Sequence, residues 1–165
     1  MAAGIEDAPA NEERLRAAIG PRADYYLRRW REMDAKGKST SWNWAACLAS
    51  LYWFLFRKMW LAAAVFFLAN IAISLVGAVL PLRVSLLAMI ALSFVTGAYG
   101  NPLYRRQIEK LAAGPGDLEQ LRARGGTSPL VLGISLALTV ALVALAAVPV
   151  YQQMQAQRAA GLRSP

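Results

Sequence analysis

Three long stretches without a charged residue constrain this chain more than any other feature. Residues 59–80, 84–99 and 129–151 contain no Asp, Glu, Lys or Arg. As helices, the first and third reach about 33–35 Å, enough to cross a hydrocarbon core of about 30 Å. The second reaches a spanning length once Leu82 and a snorkelling Arg83 are added. The whole chain is 57% hydrophobic and only 17% charged, too apolar for an ordinary soluble domain. Its charges are also segregated: residues 1–43 hold 15 of the 28, and residues 59–100 hold Arg83 alone. The expected fold is an all-α integral membrane protein with three transmembrane helices, at 59–80, 82–100 and 129–151. An N-terminal amphipathic and interfacial aromatic helical region precedes them.

Local signals divide the chain further. Residues 1–38 form a basic amphipathic region. Asn11 is placed to cap a short helix over Glu12–Ile19, and Gly20-Pro21 ends it. A second helix is expected over residues 22–35, with Tyr26, Leu27, Trp30 and Met33 apolar and Arg28, Arg29 and Arg31 mostly on other faces. Residues 39–58 form an aromatic segment with Ser41 as the expected N-cap. Its apolar part, Trp44 to Phe56, spans only about 20 Å as a helix. Gly100-Asn101-Pro102 is read as the end of the second span. The loop 101–128 has helical character broken at Gly114-Pro115-Gly116, and Ser128 and Pro129 are read as cap and first residue of the third span. A polar tail, 152–165, closes the chain. No signal peptide or lipidation motif is expected.

Positive charge sets the orientation. With three spans, fifteen Lys and Arg residues fall on one side and three on the other; making 42–56 a fourth span gives eleven against seven. The expectation is therefore three spans, with the N-terminus cytoplasmic and the C-terminus outside. Residues 42–56 would lie in or dip into the cytoplasmic interface, an interfacial helix being favoured over a short re-entrant segment, with Trp42, Trp44, Tyr52, Trp53 and Trp60 at headgroup depth. Cys47 should then be silent to an impermeant maleimide added outside cells.

An ordered run of motifs adds a resemblance: Asp24-Tyr25-Tyr26 and its basic helix, Ser41-Trp42-Asn43-Trp44-Ala45-Ala46, and Tyr52-Trp53-Phe54-Leu55-Phe56-Arg57-Lys58-Met59-Trp60. Asn101-Pro102-Leu103-Tyr104 and Gly125-Gly126-Thr127-Ser128 follow. Together, over roughly residues 19–130, they resemble the bacterial membrane family of the domain of unknown function 2628. Ala49-Ser50 stands where that family often has Gly-Pro, which removes the usual signal for a backbone break. Phe56 stands where Tyr is usual. The resemblance implies a bacterial inner-membrane protein and supplies neither an activity nor catalytic residues.

The residues themselves argue against several functions. There is no histidine, so the commonest general base and metal ligand is missing. The single cysteine, Cys47, sits in apolar sequence and reads as filler. No span carries an ionisable residue except at its edge, unlike an ion-coupled transporter. Asn70 and Ser74, and the Ser93–Gly97 small-residue pattern, read as helix packing. Asp24, Glu32 and Asp34 read as members of a solvated charge lattice. No catalytic, cofactor-binding or metal site is expected, and no nucleic-acid module is recognisable. The net charge of +8 suits anionic headgroups.

The expected function is that of a non-enzymatic membrane adaptor or scaffold. Its contacts with lipid or with a membrane or cytoplasmic protein partner would come from Tyr25, Arg28, Arg29, Trp30, Trp42, Trp44, Trp53, Arg57, Lys58, Trp60, Arg105 and Arg106. The alternative is an oligomeric channel or transporter subunit built from copies of the chain. A lipid-active enzyme ranks last.

Overall fold

The computed structural model describes residues 7–161. It is 82% helical, and no strand occurs among the described residues. The helices are α1 (Asp7–Ile19), α2 (Ala23–Ala35), α3 (Trp44–Leu48), α4 (Ser50–Phe56), α5 (Trp60–Gly77), α6 (Leu82–Ala113), α7 (Leu118–Arg124) and α8 (Pro129–Gly161). Three helices are long and apolar enough to cross a membrane: α5, α6 and α8. Little of the most apolar stretch of α5 or α6 is buried, 6% and 11% respectively. Side chains such as Leu61, Leu68, Leu75, Leu87 and Ile90 therefore face outward and require an apolar surrounding.

The chain divides into two compact units, one ending at Pro129 and the other beginning at Leu130. The second is essentially α8. Its helix does not stop where the apolar run does; it continues through the expected polar tail as far as Gly161. The Gln, Ala and Arg residues after Tyr151 are good helix formers, and no Gly or Pro interrupts them.

In the first unit, α1–α4, α7 and the C-terminal half of α6 form a cap on the apolar hairpin of α5 and α6. Helix α1 starts at Asp7, so Asn11 is interior rather than a cap; Pro9 is tolerated because it falls in the first turn. The expected aromatic helix is two helices, broken at Ala49, whose φ and ψ are −125° and 32°. Its N-cap is Asn43, whose side chain accepts from Ala46 N–H at 3.0 Å, and not Ser41.

The larger departure is α6. Gly100-Asn101-Pro102 does not end it; the helix runs straight through to Ala113. Pro102 has no N–H, so the Ala98 carbonyl loses its helical donor. Ser41 N–H supplies a replacement at 3.2 Å, and Asn43 N–H donates to the Gly97 carbonyl at 2.8 Å. The extended segment before α3 thus docks along the interruption. Helix α3 then lies directly on α6, because a Cβ at Gly97 would stand 2.8 Å from Cys47 Cβ, and one at Gly100 2.8 Å from Ala46 Cβ. Gly125 serves the same purpose where α7 ends against α1: a Cβ there would collide with the Ala18 carbonyl, which accepts from Gly126 N–H.

Gly100→Leu should therefore destabilise the cap by about 1–3 kcal/mol through overpacking against Ala46. Glu119→Gln, on an exposed face of α7, should change stability by less than about 0.5 kcal/mol. Thermal unfolding of both variants in mild detergent checks this pair.

Candidate interaction surface of the N-terminal cap

Tyr104, fully buried on α6, is the centre of the cap. The rings of Tyr26, Trp30 and Trp53 surround it at centroid distances of 4.8, 6.1 and 6.1 Å. Into this cluster α4 delivers Arg57, 3% exposed, with Cζ 4.6 Å from the Tyr26 ring centre and 5.1 Å from that of Tyr104. Arg57 Nη1 makes a long contact of 3.5 Å to the Tyr104 hydroxyl, and Nε is buried without a hydrogen-bond partner. Arg57 forms no ion pair among the described residues. Ring faces stabilise the cation in place of a carboxylate, an interaction worth about 2 kcal/mol when desolvated. Burial pushes the Tyr26 hydroxyl above its ordinary pKa, with the charge of Arg57 opposing, so this ring stays neutral.

Polar contacts close the rest of the cap. Asn101, fully buried, donates to Ser41 Oγ at 3.1 Å and accepts from Asn43 Nδ2 at 2.9 Å. Arg29 Nε donates to the same Ser41 hydroxyl at 2.7 Å. Arg14 on α1 reaches the end of α6, donating to the carbonyls of Ala112, Gly114 and Gly116 at 2.7, 2.7 and 2.9 Å. Those carbonyls lie where a helix runs out of its own donors. Ion pairs join α1 to α2 through Arg16 and Asp24, and α2 to α6 through Asp34 and Arg105, each at 2.6 Å. The lattice expected around Asp24, Glu32 and Asp34 therefore exists, but Arg16 and Arg105 supply two of its three cations.

The structure sorts the expected contact residues into three groups. Trp30, Trp53 and Arg57 are buried and hold α2, α4 and α6 together. Arg29, Trp42, Lys58 and Arg105 are partly buried and engaged within the chain. Lys58, for example, donates from Nζ to the Ala123 carbonyl at 2.7 Å. Tyr25, Arg28, Trp44, Trp60 and Arg106 stand exposed. Cys47 is buried against Gly97, so its silence toward a maleimide would not report the side of the membrane. Asn70 and Ser74 donate to carbonyls one turn back on their own helix, Phe66 and Asn70, at 2.9 and 2.8 Å. Sequence reasoning missed Arg14 and the Asn43–Asn101 pair. The only signal for that pair is two amides lying in motifs 58 residues apart.

The motifs that run from the basic helix to Tyr104 therefore meet in the cap. The family described as protein of unknown function (DUF2628) matches residues 11–110. The chain belongs to this family. The match takes in α2 to α5 whole, with most of α1 and of α6, so the Tyr104 cluster and the docked 41–43 segment lie inside it. No curated protein and no solved structure matches the chain.

Arg57→Ala should destabilise the cap by about 3–5 kcal/mol, the range for truncating a large buried side chain. Arg57→Met should recover at least half of that loss, because it restores packing without a desolvated charge. Denaturant midpoints of the two variants decide this: equal losses would mean that the charge, not the packing, is what the cluster requires.

Proposed function

We propose that this DUF2628 protein is a non-enzymatic membrane adaptor or scaffold of a bacterial inner membrane, with the cap on the cytoplasmic side. The cap would hold lipid headgroups or another protein against the bilayer. The observation that carries this reading is the division within the cap. One set of arginines and aromatics is used up in a buried core, and a second set, Arg28, Arg106, Trp44 and Trp60, remains exposed. Trp44, Trp60 and Tyr99 are 65%, 54% and 49% exposed near the polar ends of α5 and α6, as rings at headgroup depth would be. Fifteen of the eighteen Lys and Arg residues fall in segments 1–58 and 101–128, which contribute to the cap. The charge bias supports the cytoplasmic assignment, and the rings support an interfacial depth. Asn70 and Ser74 satisfy themselves on their own helix, which favours an adaptor over a polar pathway through assembled copies.

In-cell crosslinking followed by mild-detergent pull-down and mass spectrometry tests the role. A reproducible heterologous partner, lost in the Arg28→Gln/Arg106→Gln variant, is expected. Recovery of copies of the chain alone would favour the oligomeric reading.

Orientation is tested separately in a Cys47→Ala background. Ser39→Cys should resist an impermeant maleimide outside intact cells, and Gln152→Cys should react. The reverse pattern would invert the topology.

A further inference from the structure

Where α2 ends, the cap opens into a groove of about 360 Å³, bounded by Arg29, Glu32, Lys36, Lys38, Trp42 and Ala98. Its size lies within the range of small-molecule sites, about 300–1,000 Å³. Three cations line it against one carboxylate. Glu32 is engaged with Arg29 at 3.3 Å, and no ion pair of Lys36 or Lys38 occurs among the described residues. The lysines are not on a loose loop. Gly37, at φ 58°, terminates α2 while Gly37 N–H donates to the Asp34 carbonyl and Lys38 N–H to that of Met33. This pair of hydrogen bonds fixes the backbone on both sides of the turn. Arg29 is held in turn by the Ser41 hydroxyl.

The opposite wall is apolar and belongs to a membrane helix. Ala98 is on α6, one turn beyond Phe94. The Trp42 ring packs on Phe94 at 5.5 Å and on Trp44 at 5.1 Å. Phe94 and Trp44 are themselves 54% and 65% exposed. A positively charged groove is thus continuous with an aromatic edge that runs onto the apolar part of α6. We infer that the groove binds the phosphate of an anionic phospholipid, with Lys36, Lys38 and Arg29 on the headgroup and an acyl chain along Trp42 and Phe94. This deepens the adaptor reading, because it names a ligand for one part of the cap.

The test uses the full chain in mild detergent, titrated with short-chain phosphatidylglycerol or phosphatidylcholine and read by native mass spectrometry. Wild type should retain phosphatidylglycerol preferentially. Lys36→Gln/Lys38→Gln should weaken that retention at least about tenfold. Both side chains are exposed, so the fold should be unaffected. Lys110→Gln/Arg122→Gln removes the same charge elsewhere on the cap and should leave retention unchanged. An equal loss in that control would reduce the effect to net charge and overturn the site. Equal retention of phosphatidylcholine would overturn the anionic preference. Displacement of the lipid by comparable concentrations of inorganic phosphate or glycerol phosphate would assign the groove to a free phosphate compound instead. The partner pull-down does not depend on any of these outcomes, so the two readings can fail separately.

Discussion

Pro102 cannot donate a hydrogen bond, and the arrangement of the first unit follows from how that deficit is met. In a lone transmembrane helix, the freed Ala98 carbonyl would call for water or a kink. Here Ser41 N–H takes the place of the missing donor, and Asn43 N–H binds the carbonyl next to it. An acceptor left unsatisfied away from water costs about 1–3 kcal/mol, so the Ser41 bond matters beyond its own strength, and the Asn43 bond adds to it. They also set register. Once residues 41–43 are laid against the Gly97–Asn101 turn, Asn101 is in reach of Ser41 and Asn43, and α3 must begin where it does.

The same docking explains why the cap is built around an uncompensated cation. Placing α3 on the two glycines of α6 brings α4 over Tyr104, and Arg57 at its end has nowhere to go but among the rings. An isolated buried charge would be several kcal/mol unfavourable. Three aromatic faces within 6 Å offset much of that cost. An arginine suits this place better than a lysine, since its planar group is weakly hydrated and stacks on rings.

Much of this fold was legible in the sequence, for identifiable reasons. The spans follow from hydropathy and length, and the apolar face of α2 from periodicity. The α2 face was readable as apolar but not as to what covers it: Tyr26 and Trp30 meet Tyr104, not lipid. Pro102 was read as a stop because its usual effect is to break a helix, and the rescue comes from a segment 60 residues away. The break at Ala49 carries no Gly or Pro and arises from packing on α6. Arg57 beside Lys58 looks like an interfacial pair, and charge alone cannot separate a caged cation from a snorkelling one. Arg14 gave no signal, because a carbonyl cap at the far end of another helix has no motif.

The cap is a folded unit joined to a membrane helix, with Trp30, Trp53 and Arg57 buried in its interior. What remains outside is a small set of exposed cations and rings, among them Arg28, Arg106, Trp44 and Trp60. The most direct test of this account is amide hydrogen exchange of the full chain in detergent, read on peptides covering residues 39–47. The docked segment predicts slow exchange at Ser41 and Asn43, comparable to amides in the middle of α2. Exchange as fast as that of an exposed loop would contradict the docking, and with it the account of why α6 passes through Pro102.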